Sequence, residues 1–139
     1  MVSRLVKSAA ALGLLLTGCN SGISDRNLSY ISADETARVI SEGQNTLFGV
    51  EKRTLLIDSR QRVSYKQKHI LGAVNIPFGQ LFAYMYELEG VGMIVVYGET
   101  TDDSVALAMS KELMELGFND VRTLHGGFTG WEEIQKTTE

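Results

Sequence analysis

Two uninterrupted apolar runs, Thr54-Leu55-Leu56-Ile57 and Met93-Ile94-Val95-Val96-Tyr97, constrain this chain more than any other feature. An edge strand or a strand with one wet face alternates apolar and polar residues, whereas a strand covered on both faces reads as a continuous hydrophobic run. Such strands need helices above and below, and the intervening residues supply helical patterns. Ser32-Ala33-Asp34-Glu35 has the spacing of a capping box. It predicts a helix from Ala33 to Glu42 with Val39 and Ile40 facing inward, ended by Gly43. Val105, Ala108, Met109, Leu113 and Leu116 recur at helical spacing over Ser104 to Leu116, and Gly117 follows where a left-handed residue closes a helix. Ala73 to Ile76 is a short strand stopped by Pro77, and Val121 to Leu124 is another. The aromatic-rich segment containing Leu81, Phe82, Tyr84, Met85 and Tyr86 reads as helical and mainly core, with some rings near a pocket mouth. Strand and helix alternate throughout, which predicts an α/β fold with a single, mostly parallel sheet flanked by helices on both faces.

The chain has one cysteine, so no intrachain disulfide can form and the fold must rest on its apolar core. That cysteine, Cys19, ends the run Leu16-Thr17-Gly18-Cys19. Arg4 and Lys7 precede a short apolar stretch from Ala9 to Leu16, as in a secretory signal. The stretch is shorter than the roughly 20 apolar residues a membrane span requires. The four residues resemble a bacterial lipobox, which implies cleavage after Gly18, a diacylglyceryl thioether on Cys19 and a stable two-chain lipid anchor. The expected organisation is a signal peptide over 1–18, a lipidated start and polar tether over 19–29, and a domain over 30–139. Removal of 1–18 leaves 11 Lys and Arg against 17 Asp and Glu, a net charge of −6. That balance argues against nucleic acid as a partner. The expected location is a cell membrane or outer membrane, facing the periplasm or the exterior.

Five blocks then follow in order: Leu56-Ile57-Asp58-Ser59-Arg60, His69 to Pro77, Ile94 to Tyr97, Leu116 to Val121, and Leu124-His125-Gly126-Gly127-Phe128 with Trp131. In sequence and spacing they resemble the rhodanese (sulfurtransferase) family, from about Tyr30 to the C-terminus. The resemblance implies a site beyond the carboxyl ends of the strands, in the loop after Tyr97. Active members there carry a cysteine that forms a persulfide, glycine three residues on and arginine five residues on. This chain has Gly98-Glu99-Thr100-Thr101-Asp102-Asp103. Nucleophile, glycine and arginine are all absent. The carboxylates should repel anionic sulfur donors, and Asp102 or Asp103 can cap the helix amides that would otherwise hold substrate.

No catalytic residue is therefore expected, and neither a cofactor nor a metal. Ser104, Thr100 and Thr101 lack a recognisable base. Glu99, Asp102 and Asp103 could offer oxygen ligands to a hard cation such as Ca²⁺, but helix capping is the commoner role of such acids. Asp58 and Arg60, at a strand end, are expected to tie loops together, and His69 to hydrogen-bond a neighbouring loop. His125 is expected near the rim of the site, Gly126 and Gly127 to form a tight turn, and Trp131 to pack the last helix on the core. The resulting expectation is a membrane-anchored, non-catalytic binding or regulatory module with a protein partner of unknown identity. Its alternative is a sulfurtransferase, working through its own site or with a partner's thiol.

Overall fold

The computed structural model describes residues 22–42, 45–47 and 50–138. Cys19, the signal segment and Gly43 lie outside them. The elements run β1 (Ser29–Ile31), α1 (Ala33–Ser41), β2 (Asn45–Leu47), β3 (Val50–Asp58), α2 (Arg62–Gln67), β4 (Val74–Asn75), a 3-10 run over Leu81–Leu88, β5 (Val91–Tyr97), α3 (Ser104–Glu115), β6 (Val121–Leu124) and α4 (Gly127–Thr138). The sheet order is β1-β6-β5-β3-β2, with β4 also paired to β3. Strands β1, β6, β5, β3 and β4 are parallel, and β2 alone runs antiparallel, as a hairpin with the start of β3.

The apolar runs are buried on both faces because alternate residues of each enter different cores. Leu55, Ile57, Ile94, Val96 and Val121 point to the side of α3 and the 3-10 run. Leu56, Val95, Tyr97 and Leu124 point to the side where α1 and α4 supply Val39 and Phe128. Each fully buried Leu, Ile or Val of this kind contributes roughly 1.5–3 kcal/mol, so the central strands hold the two helical layers together. Trp131 packs at the edge of the second core, as the sequence suggested.

Several local readings need correction. The capping box at α1 is half formed. Ser32 Oγ accepts from Glu35 N at 3.1 Å, while Glu35 Oε1 pairs instead with Arg122 at 3.2 Å. The buried face of α3 is Ala106, Met109, Ser110 and Leu113, leaving Val105 and Leu116 more than a third exposed. The face is turned because Ser110 is not at the surface: its hydroxyl bonds Thr123 Oγ1 at 2.8 Å inside the core. The segment after Gln80 is a 3-10 run kinked at Tyr84, not a core helix. Leu81 and Leu88 are buried, but Phe82, Met85 and Tyr86 face outward. Finally, the polar stretch read as a tether ends in a 3-10 turn, Asp25–Asn27, whose Asp25 pairs with Lys111 of α3 at 2.9 Å.

Candidate functional site

Strands β3, β5 and β6 end side by side at Asp58, Tyr97 and Leu124, so the loops that follow them converge at one edge of the sheet. In an open parallel sheet this edge is where ligands bind. The loop Gly98 to Asp103 leads into α3, and Asp103 is the residue that caps it. Asp103 Oδ1 accepts from Val105 N at 2.9 Å and from Ala106 N at 3.2 Å, and Oδ2 accepts from Glu99 N at 2.8 Å. The amides that make a helix start attractive to anions are thus engaged by a carboxylate of the same loop.

Gly98 and Asp103 depend on one another. Gly98 is buried, and a Cβ placed on it would fall 2.4 Å from Asp103 Cγ and 2.5 Å from Asp103 Oδ2. Contacts that short do not occur between unbonded carbons and oxygens, so any side chain at 98 requires Asp103 to leave. The carboxylate fills the volume that a residue-98 side chain would occupy.

The loop is also fastened from α4. Phe128 N donates to Gly98 O at 2.9 Å, Thr129 N to Glu99 O at 3.0 Å, and Gly126 N to Thr101 Oγ1 at 2.7 Å. Gly127, at φ +58°, allows this approach, because a Cβ there would lie 2.7 Å from Thr100 N. The Gly126-Gly127 pair is therefore the tight turn the sequence suggested, and its purpose is to seat the loop.

Asp58 and Arg60 form the buried tie expected of them. Arg60 Nη2 meets Asp58 Oδ2 at 2.9 Å, with the Asp58 side chain fully buried and that of Arg60 nearly so. Arg60 Nη1 reaches Glu99 Oε2 at 3.0 Å, Nη2 also donates to Lys68 O at 2.7 Å, and the guanidinium lies 3.9 Å from the Phe128 ring centre. One arginine thus joins β3, α2, α4 and the loop. Burial opposes its charge, but hydrogen bonds and attraction from Asp58 and Glu99 outweigh that, so its pKa stays above the ordinary arginine value. Asn75 secures the same strand end through Nδ2, donating to Asp58 O and Arg60 O.

The two histidines stand apart from this centre. His69 is exposed, stacked on Tyr65 at 3.9 Å with Nδ1 2.8 Å from Tyr65 O, so its hydrogen bond is to the helix just before it. His125 is exposed and meets the edge of Tyr30 at 6.5 Å. It does not line the cleft beside the loop, because the β6–α4 connection turns its side chain toward β1.

That cleft, of about 550 Å³, is bounded by Ser59, Arg62, Ser64, Phe78, Glu99 and Asp103 among others. Arg62, Phe78 and Ser64 carried no signal in the sequence, since each belongs to a segment that only the fold brings to the strand ends. Arg62 Nη2 donates to Tyr84 Oη at 2.8 Å on the cleft's outer side. Among the described residues, no group of three or more His, Cys, Asp or Glu side chains is arranged to hold a metal ion.

Beneath the loop, Tyr97 is fully buried and its hydroxyl accepts from Ile70 N at 3.2 Å. Burial, with the Asp58 carboxylate nearby, raises its pKa above the usual tyrosine value of 10.0. The folded protein therefore keeps this proton where the unfolded chain has lost it. The associated stability is complete below pH 10 and falls as the pH rises further. Tyr97→Phe is expected to cost about 1–3 kcal/mol at neutral pH by orphaning the Ile70 amide. It should also flatten the alkaline decline. Urea midpoints of both proteins at neutral pH and above pH 10 test this, and equal alkaline slopes would contradict it.

The chain's relatives agree with this architecture. Residues 32–134 match the family model described as a rhodanese-like domain. The thiosulfate sulfurtransferase GlpE of Coxiella burnetii is 31% identical over 91 residues, which cover 65% of this chain and 83% of that protein. Among solved structures, the BH2092 protein of Bacillus halodurans has a TM-score of 0.64 at 20% identity, over 79% of this chain and 75% of its own. The rhodanese-like domain of the Anabaena protein Alr3790 has a TM-score of 0.61 at 25% identity, over 76% and 74%. With the family model spanning most of the chain, this protein belongs to the rhodanese-like domain family.

Proposed function

We propose that this protein is a lipid-anchored rhodanese-like module of the cell envelope that binds or regulates a partner and transfers no sulfur through its own residues. The observation that carries this reading is the Gly98–Asp103 arrangement. At the position where sulfurtransferases of the family carry their cysteine there is a buried glycine, and the space beside it holds the Asp103 carboxylate. A persulfide needs a sulfur atom to form on, and an anionic donor such as thiosulfate needs free amides or cations to receive it. Glu99, Asp102 and Asp103 supply the opposite charge, and Arg60, the nearby buried cation, is already shared between Asp58 and Glu99.

Anchoring rests on the lipobox at Leu16 to Cys19. Among the described residues no helix is long and apolar enough to cross a membrane. The wild-type protein is expected to enter the detergent phase and take up labelled fatty acid, while Cys19→Ser leaves an unlabelled, uncleaved precursor. Label retained by Cys19→Ser would refute the anchor. For the chemistry, thiocyanate formation from thiosulfate and cyanide should not exceed the rate without protein. Turnover that scales with protein across independent preparations would restore the enzymatic reading.

A further inference from the structure

We infer that the outer side of the 3-10 run, together with Phe78, lies in the headgroup layer of the membrane to which Cys19 is anchored. The inference rests on the lipid anchor proposed above. Within nine consecutive residues, Phe78, Phe82, Met85 and Tyr86 are 52%, 70%, 38% and 64% exposed. Single exposed apolar residues are ordinary, but four large ones within nine residues of chain are a dense exposed apolar segment of the kind that marks a contact surface.

The path of the chain selects the contact. The turn Asp25–Asn27 is pinned to α3 by the Asp25–Lys111 pair, and Ile23 borders a cleft shared with Phe78, Gly79, Ala108 and Lys111. The chain therefore leaves the domain beside Phe78. Only four peptide steps separate Ile23 from Cys19, a reach of at most about 14 Å. A domain of this size has a radius of gyration near 13 Å, so a lipid on Cys19 cannot reach round to the α1 and α4 side. The face next to Phe78 is the one the anchor holds against the bilayer.

The chemistry of that face suits the position. Aromatic rings are favoured at the membrane–water interface, where the tyrosine hydroxyl stays wet while its ring is buried. The positive charge of Lys111 is neutralised by Asp25, and Glu112 and Glu115 lie beside it. The surface therefore fits a zwitterionic bilayer rather than an anionic one.

The test uses the full acylated protein in phosphatidylcholine vesicles, with Phe82→Cys, Tyr86→Cys or Leu71→Cys labelled by an environment-sensitive fluorophore. Acylation leaves Cys19 unreactive to the label. Both test positions are mostly exposed, so the core is untouched. Leu71, 88% exposed, borders the α1 side together with Val39 and Ile40 and serves as the reference. Labels at 82 and 86 should emit at shorter wavelength and be quenched several-fold more than the label at 71 when nitroxide lipids are included. Equal, weak quenching at all three sites in protein whose mass shows acylated Cys19 overturns this inference alone. A blue shift without lipid quenching, the sign of a second copy or another protein covering the face, also overturns it. Protein recovered with unmodified Cys19 overturns the anchor and this inference together.

Discussion

Gly98→Cys alone is expected to give a slowly reacting thiol and little or no sulfur transfer. The new Cβ would fall 2.4 Å from Asp103 Cγ, so the side chain can enter only by displacing the helix cap. Overpacking of that kind costs about 1–3 kcal/mol. A carboxylate that stays within a few ångströms also raises the thiol pKa, leaving less thiolate to attack. Gly98→Cys with Thr101→Gly and Asp103→Arg removes the carboxylate and frees the amides of Glu99, Val105 and Ala106 for a thiolate or an anionic donor, while the Cβ retained at 103, 2.6 Å from the new one, requires the loop, loosened by the glycine at 101, to shift. This variant gives up the cap, worth roughly 0.5–2 kcal/mol. It also loses the Thr101–Gly126 hydrogen bond, about 1 kcal/mol. It should therefore be less stable than wild type and yet react faster with iodoacetamide at neutral pH and gain measurable transfer. If the single variant equals the triple one in both reactivity and turnover, Asp103 is neither a steric nor an electrostatic block.

Arg60→Met is expected to be among the most destabilising changes near the site, costing about 3–5 kcal/mol, because it strands the fully buried Asp58 carboxylate without a cation and with only the residue-60 amide still donating to it. It also removes the contacts to Lys68 O and Phe128. Glu99→Gln breaks the other arm of the same arginine, but the Glu99 side chain is 55% exposed. Its loss should cost under about 1 kcal/mol. Urea unfolding of the two variants separates the arms. Equal losses would mean that Asp58 and Arg60 are not the tie that holds the strand end to the loop.

Strands β3 and β5 were legible because burial on both faces writes itself as an unbroken apolar run. Other elements left weaker traces. β1 is only Ser29-Tyr30-Ile31, with two of its three side chains exposed, and the β2 hairpin has no Asn-Gly or Asp-Gly turn to announce it. The face of α3 was displaced because a buried serine paired with a buried threonine looks polar in one dimension and is core in three. The site divides in the same way. Asp103 as a helix cap follows from local spacing, and so does the bond between Asp58 and Arg60, two residues apart. The pairing of Arg60 with Glu99 spans 39 residues and carries no local signature. Nor does the fit of the Asp103 side chain into the space beside Gly98, which is set by the angle at which β5 enters α3. The placement of His125 failed for a related reason, since the turn at Gly126 points it toward Tyr30 rather than the cleft.

We propose that this domain has no group able to hold sulfur. A protein lacking residues 1–19 contains no thiol at all. Incubated with thiosulfate labelled in its outer sulfur and then freed of small molecules, it should retain no label. Label that stays with the protein and is released by cyanide as thiocyanate would contradict the account.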